Sequence, residues 1–152
     1  FRTETGKIMM VNKSLSEPVP RYLEPGGGEY PLRLVAVPSL YTLNSIFLER
    51  EELVERRGQA VLLLHPREAS ARHIKDGDDV TAFNDLAEVP FRVRVTELVA
   101  EGTAAVPGVY SLAMTGGRPL VNALHHERLS DIGDATTLNG NTVEVRRTAV
   151  DT

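Results

Sequence analysis

The chain has 152 residues, enough for one compact domain by the usual prior of about one per 150 residues. Its 17 Lys and Arg against 21 Asp and Glu leave a net charge of −4, which excludes a nucleic-acid binder driven by bulk charge. It has no cysteine, which excludes disulfides, iron–sulfur ligation and a thiol nucleophile, and no apolar run approaches the roughly 18 residues of a membrane span.

With 12 Gly, 9 Pro, no Trp, 4 Phe and 4 Tyr, the composition suits a turn-rich β protein better than a helix bundle. Residues 1–30 read as a lead-in: Lys7–Val11 is a candidate strand, and Pro18, Pro20, Pro25 and Gly26-Gly27-Gly28 mark a connector. Leu32–Val37 is a β-rich run stopped by Pro38. Glu49–Arg57 is rich in helix formers and closes at Gly58. Ala60–Leu64 is apolar on both faces, as in a buried strand, and Pro66 then opens a helix expected over Glu68–Ile74. Asp76-Gly77-Asp78 is a turn, and Val80–Phe83 and Val89–Val95 form a hairpin around Asn84-Asp85. In its second strand Phe91, Val93 and Val95 alternate with Arg92, Arg94 and Thr96, giving one dry and one wet face. Thr103–Val106 is a further strand after a turn at Glu101-Gly102. Gly116-Gly117 breaks the chain, Asn122–Leu129 is expected to be helical, and Asn139-Gly140 turns into the last strand, Thr142–Arg147.

The chain starts at Phe1, with no apolar segment behind a basic one, so no signal peptide is read. The expectation is a piece cut from a longer polypeptide. His65, His73, His125 and His126 lack the spacing of a metal site, and Asp76-Gly77-Asp78-Asp79 lacks the closing Glu of a calcium loop. There is no Gly-x-Ser-x-Gly, Walker or Gly-x-Gly-x-x-Gly segment, and no helix follows Gly26-Gly27-Gly28 to make a phosphate cradle. Asn12-Lys13-Ser14 is a formal glycosylation sequon in a chain with no other sign of secretion. Glu51, Glu55 and Arg56 read as ordinary helix solvation. What remains is a set of small polar residues in irregular segments: Ser39, Thr42, Asn44 and Ser45; Asn84 and Asp85; Gly116, Gly117, Arg118 and Asn122. Such residues make turns, and they also present paired donors and acceptors to a heterocycle or phosphate.

Read in order, several segments resemble one family. Phe1-Arg2-Thr3-Glu4-Thr5-Gly6-Lys7-Ile8 and the Pro-rich stretch ending in Tyr30-Pro31-Leu32 resemble the lead into the last domain of molybdopterin oxidoreductases of the dimethyl-sulfoxide-reductase superfamily. Val37-Pro38-Ser39 through Leu43-Asn44-Ser45-Ile46-Phe47 is similar to its strand-and-Asn-Ser loop. Leu64-His65-Pro66-Arg67-Glu68-Ala69 with Ile74-Lys75-Asp76-Gly77-Asp78-Asp79-Val80 resembles its next signature. Phe83-Asn84-Asp85 resembles its hairpin, and Val121-Asn122-Ala123-Leu124 with Arg128–Gly133 its Asn-x-Leu stretch and closing loop.

The resemblance implies a mainly β fold with short helices, a six-stranded double-psi β-barrel over residues 31–152 behind a connector over 1–30. It implies the molybdopterin-dinucleotide-binding domain, covering one face of a bis(molybdopterin guanine dinucleotide) cofactor. The molybdenum or tungsten centre and its ligand would be held by the remaining domains of the same polypeptide, with an iron–sulfur electron-transfer subunit as a further partner. Ser39, Asn44, Ser45, Asn84 and Asn122 are the cofactor-binding residues it implies, with no catalytic residue, no metal ligand, no nucleic acid and no membrane insertion in this segment. Glu4, Glu68, His73 and Ala87 depart from the family pattern, and the aromatic stretch after Gly108 is reduced to Tyr110. Double-psi barrels also serve as adaptors that recognise protein or peptide partners. A pyruvoyl-dependent decarboxylase on the related barrel would need a Gly-Ser cleavage step, and no Gly in the chain is followed by Ser.

Overall fold

A computed structural model describes residues 1–11, 19, 28–41, 45–130, 134–137 and 140–148. In chain order these form β1 (Leu32–Val37), α1 (Glu51–Arg57), β2 (Val61–Leu64), α2 (Pro66–Ala71), β3 (Asp79–Phe83), β4 (Glu88–Val95), β5 (Thr103–Pro107), a 3₁₀ turn (Val121–Leu124) and β6 (Thr142–Arg147). The strands close into a barrel in the ring order β1-β5-β2-β4-β3-β6. β1 with β5 and β2 with β4 are parallel, and every other neighbouring pair is antiparallel. Advancing each strand number by three leaves both the ring order and the sense of every pair unchanged. The halves β1–β3 and β4–β6 are therefore topologically equivalent and interlocked, which is the double-psi arrangement.

Alternation drives the closure. Leu32 and Leu34, Leu62 and Leu64, Val89, Phe91 and Val93, and Val143 and Val145 are buried at every second position of their strands. Each of these four strands turns that face inward, and at about 25 cal/mol per Å² of apolar surface this burial is the main stabilising term. Pro90 sits inside β4, but β2 pairs with β4 only from Arg92 onward, so no ladder bond is lost at its missing N–H.

The helices follow from their ends. α1 has Glu51 and Glu52 in its first turn and Arg56 and Arg57 in its last, matching the helix dipole, and Gly58 at φ +70 stops it. α2 is capped by His65, whose Nδ1 accepts the Arg67 N–H at 3.2 Å, with Pro66 as its first residue. It ends at Ala71, earlier than the expected Ile74. His73 adopts a left-handed φ of +56, and the Ile74 N–H returns to the Ala69 carbonyl at 2.9 Å. That position suits glycine, and an L residue there closes the helix at some steric cost.

Glu68, within the resemblance motif, is structural. Its Oε1 accepts the Gly102 N–H at 2.8 Å and its Oε2 pairs with Arg72 at 2.7 Å. Arg72 also pairs with Glu144 of β6 at 2.5 Å. The Gly102 bond first, and Arg72 after it, hold the Glu68 carboxyl below the usual range against the opposing pull of burial.

Two expectations fail. Ile8–Val11 forms no strand and is exposed, because a closed barrel leaves no free edge for it to join. The helix expected over Asn122–Leu129 is only Val121–Leu124, since the Leu124 carbonyl accepts a side-chain bond from Asn84 instead of continuing the helix. Leu129 instead bridges Thr136. Most of the Pro/Gly connector, the sequon, Asn139 and Asp131–Gly133 lie outside the described residues.

Candidate functional site

The expected site residues that the structure describes fall on two clusters and an exposed turn. β1 and β5 are paired to their ends, with Val37 opposite Pro107, so their exits lie side by side. The Gly108 N–H donates to the Val37 carbonyl at 2.6 Å. Gly108 has φ +69, and a Cβ there would lie 2.7 Å from Ser39 Cβ and 2.8 Å from Arg57 Nη2. Ser39 is half-buried at this contact. Its Oγ accepts the Tyr41 N–H at 3.2 Å, which leaves its own O–H able to donate.

Arg57, the last residue of α1, reaches over the same exit. It donates to the Val109 carbonyl and, at 3.3 Å, to the Pro107 carbonyl, and its guanidinium lies 3.6 Å from the Tyr110 ring centre. Tyr110 donates to the Gln59 carbonyl at 3.2 Å and accepts the Val61 N–H at 3.4 Å. Helix end, β5 exit and β2 entry thus form one unit around Ser39. Sequence reading missed Arg57, because no spacing rule links a helix-end arginine to a loop so far along the chain. Ser45 opens an exposed turn through Glu49, in which Phe47 takes a left-handed φ of +70. Asn44 lies outside the described residues.

The second cluster joins Asn84 to the turn that carries Asn122. Asn84 is 8% exposed. Its Oδ1 accepts the Leu86 and Ala87 N–H groups at 3.0 and 3.3 Å, while its Nδ2 donates to the Leu124 carbonyl at 2.8 Å and the Thr142 carbonyl at 3.5 Å. Both halves of the amide are therefore engaged within the fold. Asn122 stands on the 3₁₀ turn with its side chain exposed, while Val121 and Leu124 on either side are buried. Just beyond, the His126 N–H donates to Asn141 Oδ1 at 2.8 Å, and His126 Nε2 lies 3.3 Å from Asp85 Oδ1. Among the described residues His125 Nε2 has no hydrogen-bond partner and is sealed from solvent, and burial lowers its pKa, which favours the neutral ring.

A separate cleft of about 440 Å³ is lined by Gln59, Arg92, Met114, Thr115 and Arg118 among others. It holds none of the five expected residues, although Gln59 ties it to the Arg57–Tyr110 unit. Among the described residues no three His, Asp or Glu side chains converge as metal ligands, and no helix is long and apolar enough to cross a membrane.

The closed six-strand ring, with its two interlocked halves, defines a double-psi barrel. The family model described as "Molydopterin dinucleotide binding domain" matches residues 32–142, from the first residue of β1 to the first of β6. The chain belongs to that family, and its cofactor is molybdopterin guanine dinucleotide. The respiratory nitrate reductase subunit alpha of Haloferax mediterranei is 38% identical over 79 residues, 51% of this chain and 8% of that protein. The dimethyl sulfoxide/trimethylamine N-oxide reductase of Rhodobacter capsulatus is 35% identical over 122 residues, 68% of this chain and 14% of that protein. Acetylene hydratase from Pelobacter acetylenicus shares the fold at a TM-score of 0.63 and 20% identity, covering 87% of this chain and 22% of that one. The chain thus spans less than a quarter of each of these proteins.

The donor set fits such a cofactor. Ser39 and Ser45 supply hydroxyls and Asn122 an amide, all neutral, and the Asn122 amide is spent on no other group among the described residues. A pterin edge is amide-like and a diphosphate accepts from neutral donors, so this chemistry suits both.

Proposed function

We propose that this chain is the cofactor-positioning domain of a larger molybdenum or tungsten oxidoreductase, with residues 31–152 as the barrel and 1–30 as the connector. The observation that carries this reading is the family match running from the first residue of β1 to the first residue of β6. When bound, the bis(molybdopterin guanine dinucleotide) group supplies two-electron and oxygen-atom chemistry at its metal. Residues of this chain bind and orient it. The Ser39 and Ser45 hydroxyls and the Asn44 amide donate to phosphate or pterin edges from the loop after β1, and Asn122 donates and accepts at the pterin. Arg57 fixes the exit of β5, where Gly108 lies against Ser39. The domain has no turnover alone, and it works with the remaining domains of the polypeptide and an iron–sulfur electron-transfer subunit.

The test is made in the full enzyme. Asn122→Ala and Ser39→Ala are purified and their guanine nucleotide per metal is measured after dilution. Loss of a hydrogen bond worth about 1.4 kcal/mol corresponds to a tenfold weaker hold, so partial loss of nucleotide is the expected result. Wild-type nucleotide content and release in both variants would overturn the assignment.

A further inference from the structure

We propose that Asn84 is a positioning residue for the cofactor contact made by Asn122, acting through the Leu124 carbonyl. The inference rests on the role given to Asn122 above and adds the device that holds that residue in place.

The turn carrying Asn122 has four residues and 3₁₀ geometry, and so short an element is not self-supporting. Its anchors come from elsewhere in the fold. Val121 and Leu124 plug into the core, the His126 N–H is held by Asn141, and the Leu124 carbonyl is held by Asn84 Nδ2. Asn84 is thus the side-chain link from the end of β3 to the last residue of the turn and, more distantly, to Thr142 at the start of β6. The orientation of its amide is fixed by its partners. Two backbone N–H groups face one side, which only Oδ1 can accept, and two carbonyls face the other, which only the NH₂ can satisfy.

The two halves of this amide do different work. Oδ1 closes the hairpin on itself by accepting from Leu86 and Ala87, which is a local structural task. Nδ2 reaches across to the turn, which is not needed to make the hairpin. Asp85 extends the same arrangement, since the tip carboxylate lies 3.3 Å from His126, two residues past Leu124. A purely structural asparagine at a hairpin tip needs only the Oδ1 half.

Asn84→Asp separates the halves. The carboxylate keeps the acceptors for Leu86 and Ala87 but turns an oxygen, not a donor, toward the Leu124 carbonyl. The experiment is a double-mutant cycle in the full holoenzyme with Asn84→Asp, Asn122→Ala and the pair, read as the rate of guanine nucleotide release from purified enzyme. The expected result is about tenfold faster release in each single variant and no further acceleration beyond about twofold in the pair, because both changes remove one interaction. Wild-type release in Asn84→Asp, or accelerations that multiply to about a hundredfold in the pair, would overturn the inference while leaving the role of Asn122 intact. Wild-type release in Asn122→Ala would overturn the role of Asn122 and this inference with it. If Asn84→Asp fails to accumulate as holoenzyme, Asn84→Ser, whose hydroxyl still accepts from the Leu86 and Ala87 N–H groups of the hairpin but is too short to reach Leu124, passes through the same cycle under the same criteria.

Discussion

Arg72→Ala should weaken the barrel by removing the bridge between α2 and β6. Arg72 is 14% exposed and pairs with Glu68 and Glu144, which are 21% and 31% exposed. Removing one partner of a fully buried pair costs about 3–5 kcal/mol, and partial exposure of the two carboxylates brings the expected cost here to about 2–3 kcal/mol. With a slope of about 2 kcal/mol per M, the urea midpoint should fall by about 1 M at pH 7. The pH dependence has a definite sign. The folded Glu68 carboxyl is held below its unfolded pKa, so the folded state binds fewer protons and gains stability above that value. That stability is lost as pH falls through the folded pKa. Arg72 is one cause of the lowering, so the gap between wild type and variant should be widest at neutral pH and narrow below about pH 4. Urea titrations at both pH values decide it. An unchanged midpoint at pH 7, or a gap that widens in acid, would refute the role given to this bridge.

Other substitutions test the packing and the site separately. Gly108→Ala should cost about 3 kcal/mol, combining a left-handed φ with overlap against Ser39 and Arg57, whereas Gly102→Ala, at φ +70 with open space around it, should cost only about 1 kcal/mol. Thermal melts would separate them, at about 2–4 °C per kcal/mol for a chain of this size. Leu124→Ala removes a fully buried side chain and should cost about 2–5 kcal/mol by urea unfolding. Asn122→Ala, at an exposed position of the same turn, should leave the stability of the chain within about 0.5 kcal/mol while loosening the cofactor in the full enzyme; equal losses in both assays would mark it as structural.

Much of the barrel was readable as single strands, and little of it as a ring. The alternation of Phe91, Val93 and Val95 with arginines and the apolar runs of β1 and β2 placed those strands to within about two residues. The order β1-β5-β2-β4-β3-β6 depends on parallel pairing between distant segments, such as Val37 with Pro107, which no local pattern encodes. Arg72, joining Glu68 to Glu144, was invisible for the same reason. Lys7–Val11 had strand propensity but no edge to pair with. At the site, the Asn-x-Leu pattern pointed to Asn122, which the fold leaves exposed on its turn. Asn84 stands out in the sequence for its residue type, its hairpin place and the resemblance of Phe83-Asn84-Asp85 to the family hairpin. Which way an amide faces depends on carbonyls supplied by Leu124 and Thr142, both remote in sequence.

The central claim is tested most directly on the native polypeptide that carries this sequence. Its intact mass, its molybdenum or tungsten content and its acid-released guanine nucleotide are measured on one purified sample. The account predicts a mass several times 16.7 kDa, with metal and two guanine nucleotides per metal. A native protein near 16.7 kDa holding neither metal nor nucleotide would contradict it.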